Sequence, residues 1–250
     1  MCDRFCTKFI RFGRFDPVGG ALFNADPAVL VLIPARNEES AIGAIVAGCR
    51  VERCAVWVMD DGSWDGTAEA AEKAGARVLK FPSGRGKGAV LREALRQLPA
   101  ETEWIFFMDG DGQHSPADLS RFWQLHGDAD VVMGNRWPDA EAMPFLRRWT
   151  NRVMTASLNR FGGGRAQDTQ CGFRLVRRAW LGNWKPRGSR FEFESELYLH
   201  ALAWGARIRE VPLSAVYAGE KSKIFWPRDT WNFARCLWRE AVSARPDAQV

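Results

Sequence analysis

A chain of 250 residues, 46% apolar and 26% charged, is long enough for one large core, and no Pro/Gly/Ser-rich linker divides it, so one domain with tails is expected. Six cysteines, at 2, 6, 49, 54, 171 and 236, show neither the C-x-x-C pairing of a zinc or redox site nor the density of a disulfide scaffold, which points to a reducing cytoplasm. A net charge of +5 suits nucleic acid, an anionic membrane surface or phosphorylated substrates, while no apolar run makes a signal-peptide core or approaches the ~20 residues of a spanning helix.

The first 27 residues carry Arg4, Lys8, Arg11 and Arg14 and read as an arm, a partner-binding segment or a disordered extension. Residues 28–33 then form a continuous apolar run closed by Pro34, the pattern of a strand buried on both faces of a parallel sheet. A helix starts at Asn37-Glu38-Glu39-Ser40. The next strand is 55–59, followed by a helix from Thr67 to Ala74 that stops at Gly75. Residues 76–81 give a third strand, 86–98 an amphipathic helix and 104–108 a fourth strand. Ser115-Pro116-Ala117-Asp118 has the cap, first-turn proline and early carboxylate of another helix start. This βαβ rhythm, running to about residue 134, predicts an α/β fold with a Rossmann-like, mostly parallel sheet flanked by helices. The pattern then changes to a basic amphipathic helix over 144–161, a break at Gly162-Gly163-Gly164, a short strand over 172–176, a helix over 194–204 and a last strand over 207–211.

Two acidic clusters follow strands directly: Asp60-Asp61-Gly62-Ser63 after Val56–Met59, and Asp109-Gly110-Asp111-Gly112 after Trp104–Met108. In an open α/β sheet, ligands sit beyond the carboxyl ends of the strands, so both clusters are expected to face one cleft that takes a divalent cation and a nucleotide. Asp109 and Asp111, on alternate residues, can reach one hard cation shared with substrate phosphates. An EF-hand is excluded because the fifth, sixth and twelfth positions are Gln113, His114 and Ser120. In the first cluster, Asp60 and Asp61 can accept hydrogen bonds from a base or ribose while Ser63 or Asp65 caps the helix. Gly84-Arg85-Gly86-Lys87-Gly88 opens a helix where small residues permit close approach and Lys87 favours an anion, yet it is neither a P-loop nor G-x-G-x-x-G.

Val31–Glu39, Asp60–Thr67, Gly86–Gly88, Asp109–His114 and Asp168-Thr169-Gln170-Cys171-Gly172-Phe173-Arg174 together resemble, in order and spacing, the family-two glycosyltransferases of GT-A fold. The dolichyl- and polyprenyl-phosphate mannose and glucose synthases are the branch most similar. The resemblance divides the chain into an N-terminal extension (1–27), a GT-A domain with a smaller acceptor-side subregion (28–223) and a C-terminal amphipathic aromatic helix and tail (224–250). It implies that Pro34, Ala35, Asn37 and Glu38 line the base pocket, that Asp60 meets the base or ribose, and that Lys87 lies near the nucleotide. Asp109 would touch the nucleotide or metal, and Asp111 and Gln113 would ligate Mg²⁺ or Mn²⁺ on the donor diphosphate. For an acceptor phosphate it implies Arg136 in a Gly-x-Arg segment, then Arg147 and Asn151, four apart on one helical face, with Arg148 as the alternative. Ser222 and Lys223 complete that set, although Tyr217 stands where an arginine is common.

The expected activity is a metal-dependent inverting transfer from a GDP-mannose- or UDP-glucose-type donor, with Asp111, Lys87 and Asp168 as catalytic residues. A polyprenyl or dolichyl phosphate is the expected acceptor, because its second pKa of ~6 makes it anionic at neutral pH. A saccharide or glycolipid hydroxyl would instead need a base, for which Asp168 is the candidate. The competing readings are a silent nucleotide-sugar-binding module and a nucleotidyltransferase. No nucleic acid partner is expected. Residues 224–242, with Trp226, Trp231 and Trp238 among arginines, read equally as a helix packed on the domain or one lying on the cytoplasmic membrane face. The acids of Phe191–Glu196 are expected to serve a helix N-terminal dipole.

Overall fold

The computed structural model describes residues 29–82, 84–182, 184–188, 190, 192–214, 233–235 and 237. Seven strands form one sheet: β1 (Val29–Ala35), β2 (Ala55–Asp60), β3 (Arg77–Lys80), β4 (Trp104–Phe107), β5 (Val131–Asn135), β6 (Arg174–Arg177) and β7 (Ile208–Pro212). Their spatial order is β3-β2-β1-β4-β6-β5-β7, and every pairing is parallel except the two made by β6. The helices are α1 (Glu39–Val51), α2 (Thr67–Lys73), α3 (Lys87–Arg96), α4 (Leu119–Trp123), α5 (Phe145–Gly162) and α6 (Glu192–Ala203).

The apolar run of β1 is continuous because its two sets of alternate side chains feed two separate cores. Val29, Val31, Ile33 and Ala35 pack with Ile42, Ile45 and Val46 of α1, whereas Leu30 and Leu32 pack with Val90 and Leu91 of α3 and Leu197 of α6. Gly75, expected to stop α2, has φ +93°, a backbone that glycine adopts without strain. Gly163, with φ +72°, ends α5 in the same way. Ser115 does accept from Ala117 N at 3.3 Å, but the helix it opens is a single tight turn, Pro116–Asp118, running into the short α4.

The antiparallel direction of β6 is what shapes the functional end. Phe107 is opposite Arg174, so the residues preceding β6 emerge beside those that follow β4, at the carboxyl edge of the parallel strands. Gly134 N donates to Phe173 O at 2.9 Å, which brings the end of β5 to the same place. A parallel β6 would have sent the Asp168–Phe173 loop to the opposite edge.

Among the described residues no helix is long and apolar enough to cross a membrane. Phe233 and Leu237 are helical, half-buried and packed against the core on the α3 and α6 side. The rest of the 224–250 segment, and the 1–27 extension, lie outside the described residues except Ala234 and Arg235.

Candidate active site

Three strand ends come together at the carboxyl edge of the sheet. Ala35 and Asp60 are register partners, and Asp61 N donates to Ala35 O at 2.9 Å. Gly110 packs so closely on the end of β1 that an added Cβ would lie 3.3 Å from Ala35 Cβ and 3.4 Å from Pro34 O. Pro34, Ala35, Asp60, Asp109 and Gly110 therefore share one rim.

Two turns are laced together above it. Asn37, at φ +56°, donates its backbone N–H to Ser63 Oγ (2.9 Å), and its side-chain oxygen accepts from Trp64 N (3.1 Å). Glu38 N donates to Thr67 Oγ1 at 2.8 Å. Asp60 Oδ1 accepts from Ser63 N at 3.0 Å, and Asp65 Oδ1 accepts from Thr67 N at 3.1 Å. Asp61 does not face outward toward a base. Its carboxylate accepts from the N–H groups of Arg85 and Gly86, the latter at 2.8 Å, and so fixes the turn that opens α3.

That turn delivers Lys87, whose ammonium donates to both Asp109 and Glu194. Burial alone would lower the lysine's pKa, but the two adjacent carboxylates outweigh it and raise it above its ordinary value. Burial works to raise Asp109, and the Lys87 charge and hydrogen bond hold it below the usual carboxylate range instead. Gly172 closes over the pair: a Cβ there would stand 2.2 Å from Asp109 Oδ2 and 2.9 Å from Lys87 Nζ. Of the acids expected to serve the N-terminal dipole of α6, Glu192 and Glu194 do stand in its first turn, and the group has further partners that the sequence did not disclose. Glu194 is a partner of Lys87, and Glu196 accepts from Arg187 N (2.7 Å) and Gly188 N (2.9 Å). The other oxygen of Glu194 is buried with no hydrogen-bond partner.

Asp111 is half-buried, and its Oδ1 accepts from Gln113 N at 3.1 Å. From α5, Arg147 Nη2 reaches Gln113 Oε1 at 3.4 Å, which joins that helix to the Asp109–Gln113 turn. Asn151, one turn further along, is buried with its amide 3.6 Å from Met143 Sδ. Arg136 and Asp168 form a buried fork, Nε to Oδ2 at 2.7 Å and Nη2 to Oδ1 at 2.9 Å. Burial pushes Asp168 upward, and the guanidinium beside it outweighs that and holds the carboxyl below its ordinary value. His114 is buried and stacked on Phe173; its own burial, then the nearby Arg136 charge, brings its pKa down to about 4. Ser222 and Lys223 lie outside the described residues.

Arg174, quoted in the sequence motif without a role, fastens the loop that carries Asp168 and Gly172. Fully buried, it donates to Cys171 O (2.9 Å), Glu194 O (2.6 Å) and Thr169 O (2.5 Å), so three carbonyls satisfy its charge. An arginine set between the apolar residues Phe173 and Leu175 is the sequence signal for this device, while Glu194 carries no comparable signal.

Among the described residues no group of three or more His, Cys, Asp and Glu side chains is placed to hold a cation unaided. Beside Asp109, which Lys87 engages, this turn carries two further hard oxygen ligands, the Asp111 carboxylate and the Gln113 amide oxygen that Arg147 also reaches. That set fits a hard cation that takes most of its ligands from substrate phosphates and water.

Residues 30–184 match the family model described as Glycosyl transferase family 2. Among curated relatives, the dolichyl-phosphate hexose transferase of Haloferax volcanii is 32% identical over 191 residues, 73% of this chain and 80% of that one. The glycosyltransferase AglJ of the same organism is 32% identical over 189 residues, 74% of this chain and 62% of that protein. Among solved structures, glucosyl-3-phosphoglycerate synthase from Mycobacterium tuberculosis, in complex with Mn²⁺, UDP and glucosyl-3-phosphoglycerate, superposes with a TM-score of 0.63 at 19% identity, covering 95% of this chain and 89% of that one. The mostly parallel sheet, the acidic turns at its carboxyl edge and these similarities lead to one assignment: the chain is a GT-A-fold glycosyltransferase and belongs to glycosyl transferase family 2.

Proposed function

We propose that the protein transfers a hexosyl group, with inversion, from a nucleoside-diphosphate sugar to a polyprenyl-type phosphate. The observation that carries the reading is Arg147 reaching Gln113, since it sets a guanidinium from the acceptor side against the turn proposed to hold the donor diphosphate. A phosphate oxygen of the acceptor attacks the anomeric carbon as the bond to the diphosphate oxygen breaks, and the nucleoside diphosphate leaves with the bonding electrons. Pro34, Ala35, Asn37, Glu38 and Asp60 hold the nucleoside, and Asp111 and Gln113 hold Mg²⁺ or Mn²⁺. That cation, when bound, offsets negative charge on the departing diphosphate.

Lys87 adds a fixed positive charge beside Asp109, pre-oriented by its two carboxylate partners. Asp168, the base candidate for a hydroxyl acceptor, is held ionised in its fork with Arg136, whereas a phosphomonoester is already an anionic nucleophile at neutral pH. We therefore assign Asp168 to positioning Arg136 in the acceptor region. Half-buried Arg147 supplies the charge beside Gln113, with Asn151 one turn further along α5, and Ser222 and Lys223 remain assigned to the acceptor phosphate by resemblance. The H. volcanii relative, named for a dolichyl-phosphate acceptor, supports this choice; the phosphoglycerate-linked neighbour marks another acceptor class.

The test offers GDP-mannose, UDP-glucose and other nucleotide sugars with Mg²⁺ or Mn²⁺, with and without polyprenyl phosphate, and reads nucleoside diphosphate release and lipid-linked product. Release should require the lipid phosphate and be abolished by chelation, and Asp111→Asn should lower turnover by at least about a hundredfold. Equal turnover on a free hydroxyl acceptor, or turnover insensitive to chelation, overturns the reading. Donor binding without turnover on any acceptor favours a silent module.

A further inference from the structure

We propose that the outward face of α5 is a membrane-docking surface that seats on an anionic lipid headgroup layer. The helix is amphipathic in the reverse of the usual sense. Its buried residues are Asn151, Thr155 and Leu158, two of them polar, whereas Phe145, Leu146, Trp149 and Val153 are 73%, 54%, 56% and 44% exposed. At about 100° per residue these four fall within one stripe, opposite the buried side. An ordinary surface helix turns such residues inward, and a contiguous exposed apolar patch marks an interaction site.

Charge selects the occupant. The helix sequence holds four arginines and no acidic residue. Arg152 and Arg160 are exposed, Arg152 at the edge of the apolar stripe and Arg160 in line with it two turns beyond Val153. The Arg148 guanidinium lies 5.9 Å from the Phe145 ring centroid, and that of Arg152 lies 5.9 Å from Trp137. Aromatic and aliphatic side chains bordered by arginines on one face of a helix suit the headgroup boundary of an anionic bilayer. The opposite side of the same helix carries Arg147 to Gln113, so a bilayer seated on α5 lies about one helix diameter, roughly 10 Å, from the cleft. The inference builds on the lipid-phosphate reading by naming the face through which the acceptor's membrane is met, while its test needs no turnover.

The full chain is sedimented with vesicles of phosphatidylcholine alone and of phosphatidylcholine with phosphatidylglycerol, with neither donor nor acceptor present. Binding to the anionic vesicles is expected. Phe145→Ser/Trp149→Ser/Val153→Ser should weaken that binding by at least about tenfold, and Arg152→Glu/Arg160→Glu should remove the preference for anionic lipid. Trp204→Ser, at a site 69% exposed directly after the end of α6, should leave binding unchanged. Thermal melting checks folding, and Trp149→Ser alone is read if the triple variant unfolds.

Three results overturn the proposal: no vesicle binding by the full chain, undiminished binding by the stripe variants, or loss confined to Trp231→Ser/Trp238→Ser. A dimer in solution that the triple variant disperses also overturns it, because a second copy would then own the face. On a short-chain, water-soluble polyprenyl phosphate the triple variant should keep its rate within about twofold. If the unaltered chain shows no transfer there but binds vesicles through α5, the acceptor assignment fails and the docking face stands.

Discussion

Lys87 holds two carboxylates that would repel each other without it, so its removal tests the site's charge balance more sharply than loss of either acid. Lys87→Met leaves Asp109 and Glu194 facing each other with little solvent, and should destabilise the fold by about 3 kcal/mol at neutral pH. The sign of its pH dependence is fixed. Without the cation, one of the two carboxyl groups has a folded pKa above its unfolded value, so the variant is relatively more stable in mild acid and loses that advantage as pH rises. Adding Glu194→Gln should restore part of the loss, and urea titration of the two variants at pH 5 and pH 8 checks both points. The Asp168–Arg136 fork gives the opposite pH sign. Its carboxyl is depressed in the folded state, so its contribution is complete above the ordinary carboxylate pKa and declines as pH falls through the lower folded value. Asp168→Asn leaves a buried guanidinium without its counter-charge and should cost about 3–5 kcal/mol near pH 7, a gap that narrows only below about pH 4.

At the scale of elements, β6 and the loop before it explain both what the sequence disclosed and what it withheld. The apolar runs and the Gly75 stop made β1, β2, β4 and the helices between them legible, because each is local patterning. Asp109, Asp111 and Asp60 were legible for the same reason, each following a recognisable strand. Strand direction is not local: nothing in Arg174–Arg177 says that it runs antiparallel between β4 and β5, and that direction alone brings Gly172 over Lys87. The role of Glu194 was hidden because its partner lies 107 residues away, on α3. Arg174 ties these parts together, since its guanidinium reaches Thr169 and Cys171 in the loop and Glu194 on α6. Arg174→Met should therefore free three buried carbonyls, lower stability by about 3 kcal/mol and reduce turnover more than a core substitution of equal cost. Hydrogen exchange at residues 169–172 supplies the check. Protection equal to that of the unaltered chain would remove Arg174 from this fastening role.

For the whole molecule, loops after β1, β2 and β4 and the turn before α3 converge on one cleft, so a ligand that spans them binds the folded chain and has no equivalent site on the unfolded one. Stability then rises with ligand by mass action, about 2.7 kcal/mol at a concentration one hundred times the dissociation constant. For a domain of this size each kilocalorie moves the melting temperature by about 2–4 °C, so a saturating nucleoside diphosphate with Mn²⁺ should raise it by roughly 5–10 °C. On the proposed function, the part of the shift that needs the cation should depend on Asp111 and Gln113. Asp111→Asn should show the smaller shift that the unaltered chain shows in EDTA, whereas Trp204→Ser, far from the cleft directly after the end of α6, should show the full one. Identical shifts with and without Mn²⁺ would mean that the nucleotide is held by the β1 and β2 turns alone. The Asp109–Gln113 turn would then lose its place as the cation's seat, and Asp111→Asn would have to act through the backbone hydrogen bond it makes to Gln113.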